Sequence, residues 1–330
     1  MRRRRRRRYY GGQVICIAFL LIICAFGVKK LADKEPSGIL NDSGAASAYS
    51  NETIQLTSSD EGRELDIDKD RIYSASAILI DIQNRQILFE KQSDSRIYPA
   101  SLTKIMTAIT AIETIGDLQQ TVTLQPDKFD ALYAEGASMA GFAPGEEVSV
   151  EDLVYGALLP SGAECSLGLA DFAAGSEAAF VEMMNQKASD YGMKGTHFRN
   201  TTGLHDADHY TTVEDIAVLL EHALQNEEFR KVFTSFVHSV PSTNLHPEGI
   251  TFYSTLAPFV EAEQINGGEI EGGKTGFTDE AGLCLASLAS INGREYVLVT
   301  VGAKGNHETD PYHVEDARYI YNQLAQMGSE

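Results

Sequence analysis

The sequence predicts a mixed α/β (α+β) domain: one antiparallel sheet completed by the two ends of the domain, flanked by helices, plus a helical lobe from its middle. Three observations lead there. Strand-forming segments bracket the domain, at 76–82 and 85–90 near its start and at 283–291 and 295–302 near its end. The residues between them carry helical spacing and capping signals. Asn292-Gly293 separates the last two strand segments as a two-residue type I′ turn, so that pair is an antiparallel hairpin.

The chain opens with Met1, an arginine block from Arg2 to Arg8, Tyr9 and Tyr10, and no further charge appears until Lys29. As a helix, the uncharged span from Tyr9 to Val28 reaches about 30 Å, enough for a hydrocarbon core. Two readings compete for 11–30. A signal peptide fits the basic start and the small-residue site Ala25-Phe26-Gly27, although Lys29 and Lys30 directly behind that site disfavour cleavage. A transmembrane anchor fits the two tyrosines and an arginine block that holds 1–10 in the cytoplasm. The anchor is the expectation, with the rest of the chain outside a bacterial cell on its membrane, or secreted if the segment is cleaved. A nucleic-acid-binding arm is disfavoured because the apolar span follows at once.

Of 27 basic and 47 acidic side chains, ten and one lie within residues 1–34, so the remainder carries 17 and 46, a net charge of −29. That surface argues against nucleic acid as a partner and for solubility. Ser, Gly, Asp, Glu and Asn dominate 31–70, the composition of a flexible linker. Residues 71–330 then suit one domain of two lobes. Cys16 and Cys24 fall in the apolar span, while Cys165 and Cys284 are either bridged or, as expected here, two buried thiols.

Within the domain, 76–82 and 85–90 read as a hairpin across Gln83-Asn84. Leu102, Ile105, Met106, Ile109 and Ile112 then recur at the spacing of an amphipathic helix that opens at Tyr98-Pro99-Ala100-Ser101. A strand is expected near Val122. Pro144-Gly145 turns the chain into Ser149-Val150-Glu151-Asp152, a cap for a helix over 150–158 that Leu159-Pro160-Ser161-Gly162 ends. Further helices are expected at about 164–174, at 177–190 between Ser176 and Gly192, and at 213–224 behind Thr212. Strands return at Gly272-Gly273-Lys274-Thr275-Gly276-Phe277, and a helix over 313–327 closes the domain.

Ser101 and Lys104 share one face of the first helix, so a hydroxyl and an amine can touch. Serine is a weak nucleophile until its proton is taken, and a lysine at its ordinary pKa of about 10.4 cannot take it. Burial and a second cation both lower a lysine pKa, and Lys274 is the candidate cation. Ser-x-x-Lys alone is a weak signal. It gains weight from the order of three signals: Ser101-x-x-Lys104, then Ser161-Gly162-Ala163, then Lys274-Thr275-Gly276.

With those residues stand Tyr98-Pro99-Ala100, Leu158-Leu159-Pro160, Thr201-Thr202-Gly203-Leu204-His205, Tyr210-Thr211-Thr212-Val213-Glu214-Asp215 and Phe277-Thr278. Over about 72–325 the chain resembles the serine D-alanyl-D-alanine carboxypeptidases, penicillin-binding proteins that share a fold with class A β-lactamases. The resemblance implies that fold, with the active site between sheet and helical lobe. It implies that Ser101 attacks the carbonyl of the penultimate D-alanine, Lys104 takes its proton, and Ser161 relays a proton to the leaving amine. Lys274 and Thr275 would meet the terminal carboxylate, Gly276 completes their motif, and the amides of Ser101 and Phe277 would form the oxyanion hole. The implied substrates are peptidoglycan stem peptides and the implied inhibitors are β-lactams, with no cofactor and no metal.

The chain departs from the family at two places. Ala163 stands where the family usually has an asparagine that contacts substrate and orders the lysine, and Asn306 stands near where relatives often place a carboxylate-binding arginine. Two alternatives remain: a β-lactamase, whose glutamate-positioned water and Ser-Asp-Asn motif are not visible, and a non-catalytic penicillin- or peptidoglycan-binding protein, which only Ala163 supports. A penicillin sensor would need an intracellular module, and only residues 1–10 are placed inside. The second, β-rich domain that many relatives carry is not expected. His205 and His209 lack a metal-ligand spacing, Met183-Met184 reads as helix core, and Asp215 reads as a helix-start residue.

Overall fold

The computed structural model describes residues 54–58, 65–260, 265–306 and 308–327. The segments 1–10 and 11–30, and most of the linker at 31–70, lie outside the described residues. Among the described residues no helix is long and apolar enough to cross a membrane.

β1 (Thr57–Ser58), β2 (Ser76–Asp81) and β3 (Gln86–Lys91) come first. Packing begins ahead of residue 71: Ile54, Leu65 and Ile67 are buried, and β1 pairs in parallel with β3. The last part of the expected linker therefore belongs to the domain. β2 and β3 form the expected hairpin, but across a wider connection than Gln83-Asn84, because Asp81 Oδ1 accepts the N–H groups of Gln83 and Asn84 and draws Ile82 out of the strand.

A 3-10 turn, Ala100–Leu102, leads into α1 (Thr103–Ile115). All residues from Thr103 to Ile112 are buried, so α1 is enclosed on every side rather than amphipathic. β4 (Thr121–Thr123), α2 (Phe129–Ala134) and β5 (Glu147–Ser149) precede the lobe helices α3 (Val150–Leu158), α4 (Ala163–Ala174), α5 (Glu177–Asp190) and α6 (Val213–Leu224). Their caps are those read from the sequence: the side chains of Ser149, Ser176 and Thr212 accept the N–H groups of Asp152, Ala179 and Asp215.

α7 (Glu227–Phe233), the hairpin of β6 (Val237–Val240) and β7 (Ile250–Tyr253), and the short α8 (Ala257–Val260) were not anticipated. β8 (Gly268–Thr278), β9 (Gly282–Ile291), β10 (Arg294–Ala303) and α9 (Tyr312–Met327) complete the domain. Asn292 and Gly293 both take positive φ, 52° and 77°, as a type I′ turn requires.

The main sheet runs β1-β3-β2-β10-β9-β8. The first hairpin and the last are thus neighbours, through antiparallel pairing of β2 with β10. Side chains alternate between two cores. Ile78, Ile80, Val297 and Val299 face the helical lobe and α1, whereas Ala77, Leu79 and Leu298 face α9 through Val314, Ile320 and Tyr321.

Candidate active site

Ser101 lies in the 3-10 turn that leads into α1. Ala100 just before it has φ 46°, a left-handed conformation uncommon for a residue with a Cβ. A hydrogen-bond chain holds that turn. The Arg199 N–H donates to His209 Nδ1 over 3.2 Å, which leaves the proton of the neutral ring on Nε2. Nε2 lies 2.8 Å from Thr103 Oγ1 and donates to it, and Thr103 Oγ1 donates to the Ala100 carbonyl over 2.9 Å. Burial lowers the His209 pKa to about 4, so the ring is neutral at physiological pH.

Helical spacing sets Lys104 beside the serine, with Nζ 3.0 Å from Ser101 Oγ and 2.6 Å from the Thr202 carbonyl. The Thr202 segment is itself anchored. Asn200 Oδ1 accepts the N–H groups of Thr202 and Gly203, and Thr107 Oγ1 donates to the Thr201 carbonyl over 2.7 Å. Burial lowers the Lys104 pKa to about 7, against the pull of the neighbouring Glu164 carboxylate. Burial is thus the leading cause, where the sequence reading also asked for a second cation.

Ser161 and Lys274 make a second serine-lysine pair. Ser161, behind α3, has φ 68° and accepts from Lys274 Nζ over 2.9 Å. Lys274 is fully buried on β8 and also donates to the Thr275 carbonyl over 2.8 Å. Its pKa is held well below the usual lysine range, first by burial and then by repulsion from Lys104. The Thr275 and Thr255 hydroxyls are 2.5 Å apart. Gly276 lets β8 approach the Ser101 turn, since a Cβ there would stand 3.0 Å from the Ser101 backbone nitrogen.

Ser101, Lys104, Phe277, Thr202, Asn200 and Ser138 line one open groove of about 990 Å³. The structure places the site residues expected from the sequence in two sets: Ser101, Lys104 and Phe277 line the groove with Gly276 against Ser101, while Ser161, Lys274 and Thr275 form a linked set outside its lining, near enough for Lys104 and Lys274 to repel each other.

At the first departure, Ala163 is buried, and its N–H donates to the Ser138 carbonyl over 2.8 Å. Next to it, Glu164 Oε1 accepts the N–H groups of Ala140 and Gly141 over 2.7 and 2.9 Å. At the second, Asn306 Oδ1 accepts the Glu308 N–H over 2.9 Å, which commits it to its own turn. Cys165 and Cys284 are separate buried thiols. His205 lies 3.7 Å from Glu280 and edge-on to Tyr98. Among the described residues no group of three or more His, Cys, Asp or Glu is placed to hold a metal. Met184 is core, as read. Asp215 does more than begin its helix, accepting from Gly195 N and Thr196 Oγ1.

Sequence reasoning missed Glu164, Thr202 and the His209-Thr103 chain. For Glu164 a signal existed, an acid in the first turn of a helix directly behind the Ser161 motif. For a backbone carbonyl and a buried histidine there was none.

A family model described as D-alanyl-D-alanine carboxypeptidase matches residues 64–305. The chain is 29% identical over 250 residues to the D-alanyl-D-alanine carboxypeptidase DacF of Bacillus subtilis (strain 168), a match that covers 75% of this chain and 62% of that protein. The chain thus spans less than two thirds of the Bacillus protein. It is 31% identical over 248 residues to the D-alanyl-D-alanine carboxypeptidase of Streptomyces sp. (strain K15), covering 71% of this chain and 81% of that one. The crystal structure of the Streptomyces K15 DD-transpeptidase matches the fold with a TM-score of 0.70 at 26% identity, over 78% of this chain and 100% of that chain. The expected fold class holds. With most of its length matched by the family model and both serine-lysine pairs in contact, the chain belongs to the D-alanyl-D-alanine carboxypeptidase family.

Proposed function

We propose that this chain is a serine-type D-Ala-D-Ala carboxypeptidase that removes the terminal D-alanine from peptidoglycan stem peptides and is acylated by penicillins. The observation that carries the reading is the contact between Lys104 Nζ and Ser101 Oγ, with the lysine buried and its pKa near 7. Ser101 Oγ attacks the carbonyl carbon of the penultimate D-alanine as its proton passes to Lys104 Nζ. The backbone amides of Ser101 and Phe277 stabilise the oxyanion, a contribution of several kcal/mol in sites of this kind, on the order of 3 kcal/mol per donor. The C–N bond then breaks. The leaving amine takes a proton through Ser161, which Lys274 holds by hydrogen bond, and water releases the acyl group from Ser101.

Lys274 and Thr275 bind the terminal carboxylate. A buried lysine with a depressed pKa gains its charge most readily when an anion arrives beside it, so carboxylate binding and Lys274 protonation are coupled. The arginine block and the apolar span support a single anchor over 11–30, with 1–10 cytoplasmic and the catalytic domain outside on a bacterial membrane. Retention of the full chain in carbonate-washed membranes, lost on deletion of 11–30, tests that placement.

The catalytic reading is tested by intact mass against time after adding benzylpenicillin, with Ser101→Ala alongside. The expected result is a lasting single adduct absent from the variant. A short-lived adduct with rapid drug consumption would favour a β-lactamase, and no adduct would leave a non-catalytic binding protein.

A further inference from the structure

Position 163 raises a question of supply. A buried alanine cannot offer a side-chain hydrogen bond to a substrate in the groove, yet the rest of the site is intact. The segment facing it is held firmly. The Ala163 N–H binds the Ser138 carbonyl over 2.8 Å, and Glu164 binds the N–H groups of Ala140 and Gly141. At Gly162 the fit is so close that a Cβ would stand 2.7 Å from the Ala140 Cβ. Residues 138–141 therefore form a strap fixed to the Ser161 turn, and Ser138, its first residue, is exposed in the groove shared with Ser101 and Lys104.

Among the other neutral polar side chains lining that groove, Asn200 and Thr202 are engaged in bonds of their own. Asn200 Oδ1 accepts from Thr202 and Gly203 while its Nδ2 donates to the Leu204 carbonyl over 2.9 Å. Thr202 Oγ1 donates to Asn200 and accepts from Leu204 N. Thr278, on β8, accepts from Ala281 N and keeps its own proton, but of these side chains only Ser138 stands on the segment bonded to the Ala163 N–H. Among the described residues no group bonds the Ser138 hydroxyl. Resting on the carboxypeptidase reading, we infer that Ser138 Oγ donates to the backbone of the bound stem peptide, supplying from the strap the hydrogen bond that Ala163 cannot. A strap whose backbone is already fixed suits this, because only the Ser138 side-chain rotor has freedom left to lose on binding.

The test uses the full chain with Nα,Nε-diacetyl-L-Lys-D-Ala-D-Ala, comparing wild type, Ser138→Ala, Ser138→Thr, Ala163→Asn and the Ser138→Ala/Ala163→Asn pair. Loss of one neutral hydrogen bond predicts a fall in kcat/KM of about tenfold for Ser138→Ala, with melting temperature unchanged. Ser138→Thr keeps the hydroxyl and stays near wild type. Ala163→Asn restores activity in the Ser138→Ala background and adds little to wild type, a non-additive cycle. Unchanged kcat/KM in Ser138→Ala overturns the inference, as does an equal effect of Ala163→Asn in both backgrounds. If Ala163→Asn fails to fold by circular dichroism, the Ser138→Ala against Ser138→Thr comparison decides alone. A wild type that forms a benzylpenicillin adduct while Ser138→Ala matches it in turnover sinks only the role of Ser138. A wild type with neither adduct nor D-alanine release sinks the carboxypeptidase reading and this inference together.

Discussion

The Thr202 carbonyl oxygen lies 2.6 Å from Lys104 Nζ, closer than Ser101 Oγ at 3.0 Å. A neutral amine has one lone pair and two N–H bonds, and with a carbonyl taking one N–H the lone pair is free to take a proton from the serine hydroxyl. Thr202 thus holds the Lys104 amine beside Ser101.

The pH profile of acylation follows. Lys104 must be neutral to accept the Ser101 proton, and burial sets its pKa at about 7. Acylation by benzylpenicillin is expected to fall as pH drops through about 7 and to level off above about 8, since a titration is nearly complete one unit beyond its pKa. Rapid-quench rates between acid and alkaline pH check this, and a flat profile would remove Lys104 as the base. Lys104→Arg, which stays charged, should abolish acylation.

Gly276→Ala should slow acylation about tenfold or more while the sheet still forms, because its Cβ would press on the Ser101 amide at 3.0 Å, and backbone at the nucleophile cannot yield without losing alignment. Acylation rate and circular dichroism measured together separate this from simple unfolding.

Thr103→Val breaks the link from His209 to the Ala100 carbonyl and keeps the side chain's shape. The expected outcome is a slower Ser101 acylation, by about tenfold for a lost buried hydrogen bond, with penicillin affinity before the covalent step little changed. Pre-steady-state kinetics resolve the two steps.

His222 is stacked on Tyr191 at 3.9 Å between ring centroids, and among the described residues nothing pairs with its buried Nε2. Its pKa is lowered to about 4 from 6.5 by burial first, then by the cations Arg85 and Lys187. Below 6.5 the unfolded chain takes up a proton that the folded one refuses, so stability falls as pH drops from 6.5 towards 4. His222→Phe keeps the stack and removes the orphaned nitrogen. It should stabilise the domain by about 1 kcal/mol at neutral pH and reduce the acid-side loss, read as melting temperature against pH.

Burial raises the thiol pKa of Cys284 to about 12 and that of Cys165 well above its usual value. Neither should react with iodoacetamide in the native domain, and both should react once it is unfolded, as peptide mapping at 165 and 284 would report.

Much of this was legible in local chemistry. Ser149, Ser176 and Thr212 cap the helices assigned to them, and Asn292-Gly293 makes the turn expected of it, because caps and tight turns depend on residues within three or four positions. The missed α7 carried a comparable signal, with Asn226 accepting from Glu228 N and Phe229 N. Nothing local gives the enclosure of α1, since it depends on helices and strands distant in sequence closing around it. The two serine-lysine contacts lie between residues that their motifs pointed to, whereas the support of Ala100 by His209 and the clamp from Glu164 to Ala140 are distant contacts. Periodicity does not encode them.

The sheet order has a consequence for how the molecule comes into being. β2 pairs with β10, Ser76 opposite Val301 and Asp81 opposite Tyr296, so the centre of the sheet joins segments from opposite ends of the domain. Pairings this remote in sequence close slowly and only after both partners exist. Ser101 is made early and Lys274 late, and the edge strand that carries Lys274 reaches its place through β9 and β10. A chain interrupted before β10 therefore holds the Ser101-Lys104 pair without the strand partner that seats Lys274 beside it.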